Sequence, residues 1–375
     1  MLIDPPAADV LEISIFGPGK GECVAVHLGF GDWIIVDSCI DQFDKTIPVL
    51  NYLDNIGVDI ATSVRLVVAT HAHDDHFAGI SRVFERSSSA RFVCSSAVTR
   101  EEFFALVEID SMQPTMRARA RIEYRRIFDI SEDRGLSPKG LTPIMHAMEG
   151  RPLLTLPVGN RPPGVVRSLS PSDEAFRRSL TALAKAYPVS GQARRAQVID
   201  PNELAVALWI EVADKAILLG ADLLNGPSGC GWSAILAAFD PGFKASLFKI
   251  PHHGAPNAHN EDVWDRLLVS SPVALLAPYR AGKQPRPGPD DVVRICTLTP
   301  DAFITAAPSL PALSRATRRE AAALGPLAKK VREPWGRSGH VRARSPIGND
   351  DWSVEFSSPG RPLCPKSGKQ GSRKS

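Results

Sequence analysis

The sequence predicts an α/β sandwich, and three observations predict it. Short apolar strands alternate with helical stretches in both halves of the 375-residue chain. A dense cluster of histidines and carboxylates, "THAHDDH" at 70–76, follows directly on one of the strands. Between the two halves, residues 97–197 change character and read as a partly helical insertion.

Taken in order, "LEISIFG" and "ECVAVHLG" alternate as strands around the Gly-rich turn "GPGKG", and "DWIIVDSC" reads as a strand buried on both faces. In "DKTIPVLNYLDNIGVD", Ile47, Leu50, Leu53 and Ile56 share helical spacing, and Gly57 supplies a stop. "VRLVVAT" is the strand that feeds the histidine cluster, and "ARFVCSS" is another. Within the insertion, "TREEFFALVEI", "RARARIEYRRIF" and "SDEAFRRSLTALAKAY" read as helices; recurrent Pro and Gly in 151–200 predict a mobile portion. Strand character returns in "ELAVALWIEV" and "KAILLGADLL", joined as a hairpin. "GWSAILAAF", "EDVWDRLLVSS" and "DVVRICTLT" read as helices, and "ASLFKIPHHG", "VALLAP", "DAFITAA" and "WSVEF" as strands. The expected organisation is one domain over 1–358. Its core covers about 10–96 and 198–308, a basic extension covers 309–358, and a disordered basic tail covers 359–375.

Apolar residues make up 43% of the chain and charged ones 23%, the balance of a soluble globular protein. No run reaches the roughly 18 apolar residues of a membrane span, and no basic start precedes an apolar stretch at the N-terminus. The six cysteines are scattered without a CxxC pair, which suits small core residues in a reducing cytosol. A cytoplasmic protein with no membrane association is therefore expected. The net charge of +3 comes from the tail, because without it 39 basic residues face 41 acidic ones. Only local patches argue for an acidic partner, and two qualify: 117–126, with Tyr124, and 315–344, with Trp335.

The cluster at 71–76 carries the chemistry. Imidazole and carboxylate are ligands for borderline divalent metals, and a loop at a strand end holds them on a rigid edge. His71 and His73, two apart, face one ion; Asp75 and His76 turn to a second. Two cations also offset the crowding of three imidazoles and two carboxylates. Further ligands are offered at strand ends by Asp222, after "AILLGA", and by His252 and His253 in "FKIPHHG". Asp37, ending "WIIVD", is placed to orient a ligand through a hydrogen bond.

The set "IIVDS", "THAHDDH", "LLGADL" and "FKIPHHG" resembles the metallo-β-lactamase superfamily. Within it, the resemblance is to the hydrolase domain of the ComEC competence proteins and to the phosphorylcholine esterases. Gly19 to Leu28, Asn202 to Leu208 and Lys249 to Gly254 match patterns of that branch. The resemblance covers roughly 10–96 and 198–308 and implies a four-layer αββα sandwich with two metals at one edge. His71, His73 and Asp222 would hold the first metal. Asp75, His76, Asp222 and one of the paired histidines would hold the second. His253 is favoured because the superfamily's last ligand is often followed by Gly, and His252 would then face substrate. The chain departs from the family in three places. Many members add a histidine to the first metal, and the one histidine between 77 and 221 is His146, inside the insertion. Glu22 stands where the ComEC pattern usually has Asp, and Ala205 where it often has Ser.

The expected reaction is hydrolysis by a metal-bridging hydroxide, since bound ions lower the pKa of water from 15.7 toward roughly 7. Asp75 would orient the hydroxide, and His252 would donate to a phosphate oxygen or protonate the leaving group. Zn²⁺ suits the histidines, and Mn²⁺ or Fe²⁺ also suits a mixed set. A phosphodiesterase or nuclease is the first expectation, from the resemblance and the basic patches. A carboxyl-ester, lactone or thioester hydrolase is the alternative. In a different class, the chain is a metal-containing regulatory subunit that binds a partner protein.

Overall fold

The computed structural model describes residues 2–17, 21–95, 118–136, 142–159, 161–186, 200–280, 284–309, 319–320, 323, 337–349 and 351–365. Two eight-stranded mixed sheets carry the fold. In sheet I the strand order is β15-β14-β1-β2-β3-β4-β5-β6, and in sheet II it is β16-β13-β12-β11-β10-β9-β8-β7. Sheet I comprises β1 (Val10–Gly17), β2 (Cys23–His27), β3 (Trp33–Val36), β4 (Val64–Val68), β5 (Arg91–Ser95), β6 (Ile144–Ala147), β14 (Gly339–Pro346) and β15 (Ser353–Ser357). Sheet II comprises β7 (Pro152–Leu156), β8 (Gly164–Ser168), β9 (Leu208–Val212), β10 (Lys215–Leu219), β11 (Ala245–Lys249), β12 (Leu268–Leu276), β13 (Ala302–Ile304) and β16 (Arg361–Pro362). Each sheet has a parallel half, β3 to β6 in one and β10 to β13 in the other.

Three apolar layers follow from the period-2 alternation of the strands. Leu11, Ile13 and Ile15 of β1 meet Ile217 and Leu219 of β10 and Leu247 of β11 in the layer between the sheets. Phe16, Ile35 and Val67 face outward from sheet I onto Leu50 and Leu53 of the helix Pro48–Asn55 and onto Phe77 and Phe84. Trp209, Leu218 and Phe248 face outward from sheet II onto Trp232 of Gly231–Ala238, Trp264 of Glu261–Leu267 and Ile295 of Pro289–Leu298. This is the four-layer αββα arrangement that the motifs imply.

The sequence reading needs correction at its margins. Residues 97–197 do not stand apart: β6 closes the edge of sheet I, and β7 with β8 closes that of sheet II. The helix "TREEFFALVEI" lies outside the described residues, as do 187–199 of the Pro- and Gly-rich stretch and 18–20 of the Gly-rich turn. The helix Ala118–Arg134 turns Ala120, Tyr124 and Ile127 into the outer core of sheet I, so Tyr124 is buried rather than available for stacking.

The basic extension supplies an interior strand. All eight residues of β14 pair with β1, from Gly339 opposite Gly17 to Pro346 opposite Val10. Val341 and Ala343 enter the inter-sheet core, while Arg342 and Arg344 are ion-paired with Asp4, Glu355 and Glu12. Most of 315–336, with Trp335, lies outside the described residues. The tail expected to be disordered from 359 instead adds β16 to sheet II. Cys364 is joined to Cys296 by a disulfide, and the other four cysteines are buried and free. Residues 366–375 lie outside the described residues. No helix among the described residues is long and apolar enough to cross a membrane.

Candidate metal centre

The carboxyl ends of the parallel strands converge at one edge of the sandwich, where open α/β sheets place ligands. Asp37 follows β3, Thr70 and His71 follow β4, Asp222 follows β10, and His252 and His253 follow β11. His73 caps a helical turn, Asp74–Phe77, which carries Asp75 and His76. Three of these residues have positive φ, Asp37 (61°), His252 (46°) and His253 (53°), and so does Ala221 (45°), just before Asp222. Left-handed backbone is costly for such residues, and it clusters where a chain must aim side chains.

Hydrogen bonds behind the imidazoles fix their tautomers. Nδ1 of His76 lies 2.7 Å from Oδ2 of Asp37, an atom that only accepts. Nδ1 of His253 lies 3.0 Å from the Ala277 carbonyl oxygen. The Thr70 hydroxyl donates to Asp37 Oδ2 at 2.7 Å, so its oxygen accepts from Nδ1 of His71 at 2.9 Å. When neutral, all three rings therefore turn an unprotonated Nε2 inward. Those three nitrogens meet a single atom, Oδ2 of Asp222, which is 3.3 Å from His76, 3.5 Å from His253 and 3.9 Å from His71. Asp75 Oδ2 joins them, 3.7 Å from Nε2 of His253 and 4.0 Å from that of His76. Nδ1 of His73 lies 3.2 Å from Nε2 of His71.

This donor set fits divalent ions. Nε2 of His76 and Nε2 of His253 are buried with no hydrogen-bond partner, an arrangement that costs free energy unless something else satisfies them. The electrostatics agree. Burial pushes the His76 and His253 imidazoles down, yet Asp222 and the other carboxylates around them raise both above the ordinary range. Burial pushes Asp222 up, but His76 and His253 hold it well below the carboxylate range. Burial likewise raises Asp75, and His253 and His76 outweigh it and hold the carboxyl low. Burial, with His76 nearby, keeps His71 neutral. The cluster is short of positive charge, and cations supply what protons otherwise would.

The two paired histidines are distinct. His253 is buried with Nε2 in the cluster, whereas His252 is partly exposed, with Nδ1 3.0 Å from Asn257 Oδ1 and Nε2 3.4 Å from Asn202 Nδ2. His146 lies away from the convergent groups, on β6, with Nδ1 3.7 Å from Cys94 Sγ.

Three participants had no assigned role in the sequence reading. Thr70 links His71 to Asp37. Lys249, the last residue of β11, is buried against Glu22 and Asp222, and its signal was a lysine inside the apolar run "SLFKIP". Tyr279 stacks on His253 at 5.3 Å between centroids. Asp37 is within reach of His71 and His76 as a fourth kind of donor, but its oxygens already receive Thr70 and His76.

No family model matches the chain, and no curated protein matches it. Among solved structures, it is similar to YhfI from Bacillus subtilis, described as a metallo-β-lactamase fold protein. The identity is 14% over 80% of this chain and 96% of that one, with a TM-score of 0.38. It is also similar to a mutant of the CmlA β-hydroxylase, at 15% identity over 73% of this chain and 46% of that one, with a TM-score of 0.35. A third is Zn²⁺-bound PqqB from Methylobacterium extorquens, at 12% identity over 60% of this chain and 58% of that one, with a TM-score of 0.30. The chain thus spans less than two thirds of the latter two proteins.

Proposed function

We propose that the protein is a metal-dependent hydrolase with a two-ion centre that cleaves a phosphodiester bond. The observation that carries this reading is the aim of three tautomer-fixed Nε2 atoms at one carboxylate oxygen. His71, His73 and Asp222 hold one ion; Asp75, His76, Asp222 and His253 hold the other. Asp37 orients His76 directly and His71 through Thr70. When bound, divalent ions supply Lewis acidity and a nucleophile at neutral pH. Zn²⁺ suits the imidazoles, and Mn²⁺ or Fe²⁺ suits the mixed set.

The chain's own groups do the rest. Asp75, the least buried carboxylate of the cluster, accepts a hydrogen bond from the attacking water and orients it. His252 keeps its proton on Nδ1 through Asn257, so Nε2 meets substrate as an acceptor. It protonates a leaving oxygen after taking up a proton itself.

The phosphodiester class rests on the motif resemblance. A small phosphodiester is favoured over a polynucleotide, because Tyr124 is buried and Arg342 and Arg344 are ion-paired, which removes part of both basic patches. The test is metal analysis of purified protein, then assay of bis(p-nitrophenyl) phosphate, p-nitrophenyl acetate, a lactone, and single- and double-stranded DNA and RNA. The reading expects about two divalent ions per chain and turnover of the small phosphodiester. Activity on acetate or lactone alone would move the protein to the carboxyl-ester class, and cleavage of nucleic acid would restore the nuclease reading.

A further inference from the structure

Behind the histidines lies a charged pair that the proposed chemistry does not use. Lys249 and Glu22 are each 2% exposed and in direct contact, Nζ to Oε1. They belong to different sheets: Glu22 precedes β2 in sheet I, and Lys249 ends β11 in sheet II. Nζ also donates to the Ala221 carbonyl oxygen at 2.7 Å and lies 3.8 Å from Oδ1 of Asp222. The other oxygen of Asp222 is the one the three imidazoles face. Glu22 stands on the far side of those rings, 3.7 Å from Nδ1 of His253 and 4.0 Å from Nδ1 of His76.

We propose that Lys249 is a positioning residue that divides the Asp222 carboxylate, holding Oδ1 so that Oδ2 alone is presented to both metals. The inference rests on the two-ion reading and deepens it. Its geometry has two parts. By gripping the Ala221 carbonyl, Lys249 fixes the left-handed residue from which Asp222 departs. By facing Oδ1, it gives that oxygen a cation other than a metal, so the carboxylate does not rotate to chelate one ion. Glu22 pairs with the same ammonium from sheet I. Charge balance points the same way. Glu22, Asp37, Asp75 and Asp222 are four carboxylates around the centre, while two divalent cations and Lys249 carry five positive charges, which leaves room for one anionic group.

The experiment measures Zn²⁺ binding by competition with a chromophoric chelator, alongside circular dichroism and melting temperature. Wild-type chain, E22Q, K249R and the uncharged pair K249M/E22Q are compared, the last because K249M alone strands a buried carboxylate and risks unfolding. E22Q leaves Nζ on Ala221 and Asp222 and is expected within about threefold of wild type. K249R, which keeps the cation, is expected to do nearly as well. K249M/E22Q is expected to fold and to bind at least one Zn²⁺ about tenfold or more weakly, the usual effect of losing an outer-shell partner. A folded K249M/E22Q with wild-type stoichiometry and affinity overturns the inference and leaves the metal centre standing. A fall in E22Q as large as in the double variant also overturns it, since the effect then belongs to Glu22. A wild-type chain that binds neither Zn²⁺ nor Mn²⁺ overturns the metal centre itself.

Discussion

His252 and His253 are neighbours in the chain with different surroundings. His253 turns into the cluster with Nδ1 tied to Ala277; His252 turns to Asn257 at the mouth. His253→Ala should therefore lower metal content measured on the purified protein, whereas His252→Ala should keep the metal and lower turnover by about a hundredfold. Asp37→Asn replaces one accepting oxygen by a donor, which faces either the Thr70 backbone N–H or both His76 Nδ1 and the Thr70 hydroxyl. Metal affinity should fall by about 10- to 100-fold with little change in secondary structure, as read by chelator competition and circular dichroism. If cellular function survives both His73→Ala and Asp75→Asn in folded protein, hydrolysis is not its role and the binding-subunit reading takes over. The residues at 71–76 were legible in sequence because their chemistry is crowded into six positions. Thr70 and Lys249 were not, because a threonine or a lysine gains its meaning here only from partners more than 25 residues away in the chain, Asp37 and Ala221.

Among the elements, β14 shows what pattern reading misses. "GHVRARSP" looked like a basic surface stretch, yet its alternation is that of an interior strand, with Val341 and Ala343 on the apolar side. The disguise comes from Arg342 and Arg344, whose acidic partners Asp4 and Glu12 lie more than 300 residues earlier. The strand starts at Gly339 because no side chain fits there: a Cβ would overlap the Thr305 carbonyl oxygen at the end of sheet II. Gly339→Ala should destabilise the fold by more than about 1 kcal/mol in urea unfolding, since backbone on both sides must move. Gly21 is the parallel case at the centre, with φ at 116° and a Cβ position that overlaps the Asp75 carbonyl oxygen.

For the whole molecule, the α/β class was legible from alternation, and the four layers from the motifs. The extent of the sheets was not, because β6, β7 and β8 are short strands in a stretch rich in Pro and Gly. One global property follows from the polar layer outside sheet I. His340 packs on Phe16 and Tyr52 and contacts Ser14; burial, reinforced by the charges of Arg342 and Arg344, pushes its pKa down to about 3 from 6.5. The unfolded chain takes up a proton there below pH 6.5 that the folded chain refuses. This contribution to stability is complete above that pH and is lost as pH falls, by about 1.4 kcal/mol per pH unit, until about pH 3. His340→Gln should flatten the acid limb of a stability curve measured by urea titration at successive pH values. The division of the ligands between the sheets also sets an order of assembly. His71 to His76 leave the ribosome about 150 residues before Asp222, and β14 is made only after the last parallel strand of sheet II. Sheet I thus waits, with one side of β1 unpaired, until every strand of sheet II but β16 has been synthesised. A nascent chain that has made only His71 to His76 lacks Asp222 and His253, so the cluster converges late in synthesis.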